Sequence, residues 1–115
     1  MKPVSKINCL KHYIWGSNCD SWNLVDEDSL SVKLERMPAN TMEALHFHAQ
    51  AQQFFYILKG AAQFELDQAI IEVMAGEGLH IKAGQQHRII NNKEEDLEFL
   101  LCSQPSTKND RVDDE

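Results

Sequence analysis

Residues 44–53 read ALHFHAQAQQ, and whether this stretch is extended or helical decides the fold. Side chains at i and i+2 share a face only on a β-strand, which would set His46 and His48 side by side. Two residues along a helix turn the direction by roughly 200° and would part them. A chelating pair therefore needs extended backbone here. Local propensity pulls the other way, because Met42, Glu43, Ala44, Leu45 and the later Ala and Gln residues are good helix formers. Propensity is a weak prior that tertiary context overrides, so the surrounding pattern decides.

Working outward, the chain is a succession of short apolar segments, with extended candidates at 12–15, 22–25, 31–37, 43–48, 53–59, 62–66, 69–74, 79–82, 87–91 and 97–103. Turn-forming residues separate them, among them Gly16, Asp26, Pro38, Asn40, Gly60, Asp67, Gly76, Gly78, Gly84 and the run Asn91 to Asp96. Regular short spacing of this kind predicts an all-β barrel or sandwich of antiparallel strands. No window supports a long amphipathic helix once the breakers are respected, and no internal repeat is visible.

Two groups of residues stand at fixed intervals within this pattern. The first is Asn40, His46, His48, Gln53 and Gly60; the second is Gly76, Lys82, Gly84, His87 and Asn91. Together they resemble the paired motifs of the cupin superfamily. The first of those runs glycine, five residues, His, any, His, three or four residues, Glu, six residues, Gly. The second runs Gly, five residues, Pro, any, Gly, two residues, His, three residues, Asn. Three positions depart: Asn40 for glycine, Gln53 for glutamate and Lys82 for proline. Asn40 is a mild change because Asn tolerates the left-handed conformation. Lys82 loses only local stiffness.

The resemblance implies a small single-domain cupin, a jelly-roll or double-stranded β-helix barrel, with a divalent transition metal held by His46, His48, Gln53 and His87. Nitrogen with oxygen donors suits zinc, nickel, iron, manganese or cobalt, and the affinity order alone does not choose among them. Gln53 is the departure with chemical weight. Three imidazoles and an amide leave the ion's charge uncompensated where glutamate would cancel one unit, so the site should be more electrophilic and favour anionic ligands. Gln53 either coordinates directly or orients a neighbouring imidazole or a water. His12 and His80, outside the motifs, read as ordinary hydrogen-bonded histidines.

At 115 residues the chain reads as one domain with a single core, divided as amino-terminal strands over 1–30 packing on the barrel or on a dimer partner, a barrel over 31–103, and a polar tail over 104–115. A formal net charge of −7 disfavours nucleic acid and anionic membranes as partners. No apolar stretch approaches spanning length, and the opening MKPVSKINCLKHYIWG lacks a signal-peptide core, so the expectation is a soluble cytoplasmic protein. Cys9, Cys19 and Cys102 are odd in number with no CxxC spacing, which does not indicate a disulfide framework.

With Gln53 pointing inward, the period of two sends Phe55 and Ile57 inward and Phe54, Tyr56 and Leu58 outward. Both faces are apolar, which predicts that the outer one is covered, by a second copy in a homodimer or by the amino-terminal strands. Phe55, Ile57, Ile89 and Arg36 are the candidate pocket residues. Tyr13, Trp15 and Trp22 are further candidates whose sidedness the chain does not fix, and Glu35 and Arg36 occupy opposite faces of one strand. The tail reads as solvated, with Asp110 and Arg111 able to fold over the barrel mouth. No residue is singled out as the proton carrier. The function expected is binding or conversion of a small carboxylate- or sugar-type molecule by Lewis-acid chemistry, as in an isomerase or lyase. A cupin dioxygenase and a non-catalytic binding or sensor cupin remain open.

Overall fold

Gly60 marks how turn chemistry sets this architecture: its φ is +84°, and a Cβ there would stand 2.8 Å from the Asp96 carbonyl oxygen, so only glycine closes the hairpin. Asn40 takes a φ of +59°, the left-handed conformation its side chain tolerates. Between such turns, a computed structural model describing residues 2–113 shows an all-β chain. The strands are β1 (Lys11–Trp15), β2 (Cys19–Asp26), β3 (Ser31–Met37), β4 (Thr41–Met42), β5 (His46–His48) and β6 (Gln52–Lys59). They continue with β7 (Ala61–Leu66), β8 (Ala69–Met74), β9 (Gly78–Ile81), β10 (His87–Asn91), β11 (Leu97–Gln104) and β12 (Arg111–Asp113). Met1, Asp114 and Glu115, at the ends of the expected flanking segments, lie outside the described residues.

Two antiparallel sheets face one another, one ordered β1-β2-β3-β11-β6-β9 and the other β12-β5-β10-β7-β8, with β4 paired to β10. This is the double-stranded β-helix expected of a cupin. The period of two appears plainly on β6, where Gln53, Phe55 and Ile57 are buried and Phe54, Tyr56 and Leu58 are exposed. Inward residues of both sheets interlock around Phe55, whose ring meets Phe64 edge-on at 5.0 Å and Phe99 at 5.5 Å. Ile57, Ile89, Leu97 and Leu101 complete the centre of this core.

The expected continuous strand over 43–48 is broken. Residues 43–45 leave the ladder, and Glu43 clamps to Ile89 instead: its N–H donates to the Ile89 carbonyl at 3.2 Å and its Oε1 accepts the Ile89 N–H at 3.1 Å. The tail is exposed yet tied to the barrel, with Arg111 at the cavity mouth. Arg111 to Asp113 pair with His48 to His46, and the Asp110 carboxylate accepts the N–H groups of Gln50 and Ala51 at 3.0 and 2.9 Å. On the outer face of the first sheet, Lys6 lies 4.6 Å above the Trp22 ring and pairs with Glu98, while Phe54, Tyr56 and Leu58 stay exposed in the single chain. No helix among the described residues is long and apolar enough to cross a membrane.

Candidate metal centre

His87 lies directly opposite His46 across the β5–β10 ladder, and His48 follows two residues on, so two short strands deliver all three imidazoles to the barrel interior. Each is buried, with 1–5% of its surface exposed, and one ring nitrogen from each falls within 4.8 Å of the others. Main-chain carbonyls set two of the rings. His46 Nδ1 donates to Ala44 at 2.7 Å and His87 Nδ1 to Gln85 at 2.8 Å, which leaves each Nε2 as a lone pair facing inward. The Nδ1 of His48 is buried without a hydrogen-bond partner. Desolvation keeps the rings neutral, pulling His46 down to about 3 and His48 to about 4; it lowers His87 as well.

Gln53 reaches this cluster from the opposite sheet. Its Nε2 donates to Ser103 Oγ at 3.1 Å, which turns Oε1 toward His87 Nε2, also at 3.1 Å. With the His87 proton on Nδ1, two acceptors face each other, an arrangement that a shared cation resolves. Two ligand atoms at right angles around an ion, each bonded at about 2.1 Å, stand roughly 3.0 Å apart. The donor set and its spacing therefore fit a divalent transition ion.

A cavity of about 260 Å³ opens beside the cluster, and His46, His48 and Gln53 form part of its wall. Phe55 lines it, as the strand parity requires. Ile57 and Ile89 belong to the packed core and not to the cavity wall. Arg36 is turned away: it bonds Asp20 at 2.7 Å and Asp96 at 3.2 Å on the outer face, while Glu35, its neighbour on β3, faces in. The physical reason is register, since Glu35 lies between Ser21 of β2 and Phe99 of β11, both fully buried. Tyr13 and Trp15 line the cavity, whereas Trp22 lies on the outer face, stacked against His12 at 5.1 Å. His12 bonds Asp20 and His80 bonds Gln52, each at 2.8 Å, and neither joins the cluster.

Several cavity residues were not picked out from the chain. Lys33 carries a usable signal, because it alternates with the inward Ser31 and Met37 and shares the face of Glu35, the member of the Glu35 and Arg36 pair that turns in. Thr107 sits in the loop before β12, and only tertiary pairing brings it to the mouth. Glu43 also lines the wall; burial pushes its carboxyl up to about 8, against the pull of Arg111. Arg111 at the mouth opposes protonation of all three cluster imidazoles.

The profile of the Cupin domain family matches residues 33–103. An uncharacterised protein of Methanocaldococcus jannaschii is 32% identical over 69 residues, covering 60% of this chain, which spans about half (55%) of that relative's length. Among solved structures, the polyketide cyclase RemF of Streptomyces resistomycificus superposes with a TM-score of 0.80 at 22% identity, covering 92% of this chain and 80% of that one. A sugar phosphate isomerase of the cupin superfamily from Silicibacter pomeroyi gives 0.77 at 21% identity, with coverages of 90% and 76%. At such identities the superpositions speak to fold alone. Two spaced motifs, a double-stranded β-helix and a profile match over most of the barrel agree: the chain belongs to the cupin family.

Proposed function

We propose that His46, His48, His87 and Gln53 hold one divalent transition ion, and that the protein binds or converts a small carboxylate- or sugar-type molecule in the adjoining cavity. The convergence of three buried, neutral imidazoles within 4.8 Å carries this reading. The ion would supply Lewis acidity, polarising a bound oxygen. The chain's own residues do the rest. Carbonyls of Ala44 and Gln85 fix two rings, Ser103 fixes the amide, and the neutral Gln53 leaves the centre without the negative charge a glutamate would bring. Lys33 and Arg111 on the cavity wall add positive charge, which favours an anionic ligand. The cavity is at or below the low end of typical ligand pockets, which suits a metabolite. Two of the superposed folds carry the names polyketide cyclase and sugar phosphate isomerase.

The test is elemental analysis of protein purified without added ions. Close to one transition ion per chain is expected, falling to background in His46→Ala; full occupancy in that variant would defeat the assignment. The same reading pairs two copies through the outer face of β6, where Phe54, Tyr56 and Leu58 are exposed. Sedimentation at micromolar concentration should give a two-chain mass.

A further inference from the structure

We infer that Glu35 is the proton-transferring residue of this cavity, and that its substrate is a small 2-oxo carboxylate whose anionic end is held by Lys33 and Arg111. This deepens the proposed function and rests on it for the cavity being a substrate site.

Glu35 is 8% exposed, and its side chain lines the cavity. Buried carboxyl groups with a structural duty are bonded, because an unpaired one costs the desolvation of the group with nothing in return. Glu43 obeys that rule by gripping the Ile89 N–H. Among the described residues the Glu35 carboxyl has no ion-pair partner, and the side chain that draws on it is the Ser21 hydroxyl. Ser21 stands directly opposite across the β2–β3 ladder, but its buried hydroxyl makes no well-formed bond and leaves the acid only weakly held. Trp15, which lines the same cavity, has a buried and unpaired Nε1. A buried acid without an ion-pair partner, lining a cavity beside two cations, is arranged for a polar ligand and not for its own packing.

The charges around Glu35 call for an anionic end on that ligand, and a proton taken from carbon calls for a neighbouring carbonyl. Lys33, two residues away on the same face of β3, donates to the Tyr13 hydroxyl at 2.9 Å and has no carboxylate in ion-pair reach among the described residues. Arg111 stands on the same cavity wall and is partnered by Asp113 at 2.7 Å. Two cations beside an acid that ionises only reluctantly suit a substrate that brings its own negative charge. Burial raises the Glu35 carboxyl to about 7, opposed by Ser21 and the Lys33 charge, so both of its protonation states are accessible near neutrality.

In the step itself, a Glu35 carboxylate oxygen takes a proton from the carbon next to the ligand's carbonyl. The C–H bond breaks, an O–H bond forms on Glu35, and the electron pair moves onto the carbonyl oxygen as an enolate balanced by the neighbouring cations. Return of the proton to the same carbon, from either face, re-forms the ketone with no net oxidation or reduction. The reaction classes this admits are keto–enol tautomerisation and racemisation at that carbon.

The experiment uses nickel-loaded protein with pyruvate as the probe. Binding is measured by calorimetry and deuterium entry at the pyruvate methyl group by proton NMR in D₂O, against nickel alone. Wild type is expected to bind and to exchange. Glu35→Gln should bind within about threefold and lose exchange by a factor on the order of 100 or more, the usual range for a general acid–base. Glu35→Asp, which keeps the acid on a shorter arm, should restore part of the rate. Failure of the wild type to bind pyruvate, binding without exchange, or undiminished exchange in the Gln variant would each overturn the inference. Nickel content of the same samples reports separately on the metal reading: exchange without bound nickel sinks that reading, and bound nickel without exchange sinks this one.

Discussion

On the β5–β10 wall, His46 and His87 each have one ring nitrogen tied to a main-chain carbonyl two residues back, whereas on the β1–β2 strands Trp15 Nε1, Ser21 Oγ and Asn23 Oδ1 are buried with nothing to bond. The first wall has two of its three rings set by its own backbone, with His48 Nδ1 left unbonded. The second keeps these polar atoms unspent behind the cavity-lining residues Tyr13, Trp15 and Glu35. A site whose orientation is fixed on one side and unspent on the other holds a constant group, such as an ion, against the first and a variable one, such as a substrate, against the second.

The largest effect expected from this contrast is on the first wall. His87→Ala should take metal content from near one ion per chain to background by elemental analysis; retention of the ion would place it elsewhere. Next comes Gln53→Glu, which adds a negative charge beside the ion and should raise the pKa of a metal-bound water by about 1–3 units. A pH titration of a cobalt-substituted sample reads this, and an unmoved midpoint would remove Gln53 from the ion's surroundings.

The pH dependence of the metal-free protein probes both walls at once. Unfolded, the Glu35 and Glu43 carboxyls ionise near 4.5; folded, burial holds them protonated to about 7 and about 8. Over that interval the folded state binds more protons, so their contribution is fully present below pH 4.5 and is lost as pH rises toward 8. The histidines run the other way. His46 and His48 ionise near 6.5 unfolded but at about 3 and about 4 folded, so stability drops as pH falls below 6.5. The metal-free protein should be most stable where these slopes oppose, between about pH 4.5 and 6.5. Glu35→Gln should reduce the fall in melting temperature between pH 5 and pH 8 by on the order of 5 °C. An identical fall in the variant would mean that Glu35 does not titrate in this range.

The smallest effect is at the rim. Asp110→Ala removes the acceptor for the Gln50 and Ala51 N–H groups and should cost about 1 kcal/mol in chemical denaturation.

The two walls also differ in how far the chain announces them. His46, His48 and His87 stand at motif intervals because a barrel must return each strand to a set place, and the period of two on β6 gave the inward set of Gln53, Phe55 and Ile57. The fold was legible for the same reason: turn residues sit where strands must reverse. Arg36 and Glu35 show where this stops. Parity says that one of two neighbours faces in, and only the cross-strand partners Ser21 and Phe99, distant in sequence, decide which. Ile57 and Ile89 share faces with Gln53 and His87 yet belong to the core, because a face extends deeper than the cavity it borders. For β12 there was no periodic signal at all, since a three-residue strand among polar residues is held by the ladder it joins.

That late strand carries a consequence for handling the molecule. By lying against β5, it occupies the hydrogen-bonding edge of the segment that bears His46 and His48. Shortening the chain after Ser106 would strip that edge bare beside the imidazoles and take Arg111 and Thr107 from the mouth, leaving an adhesive border open to strands from other molecules. Affinity handles and reporter fusions therefore belong at the amino-terminal end, away from this seam.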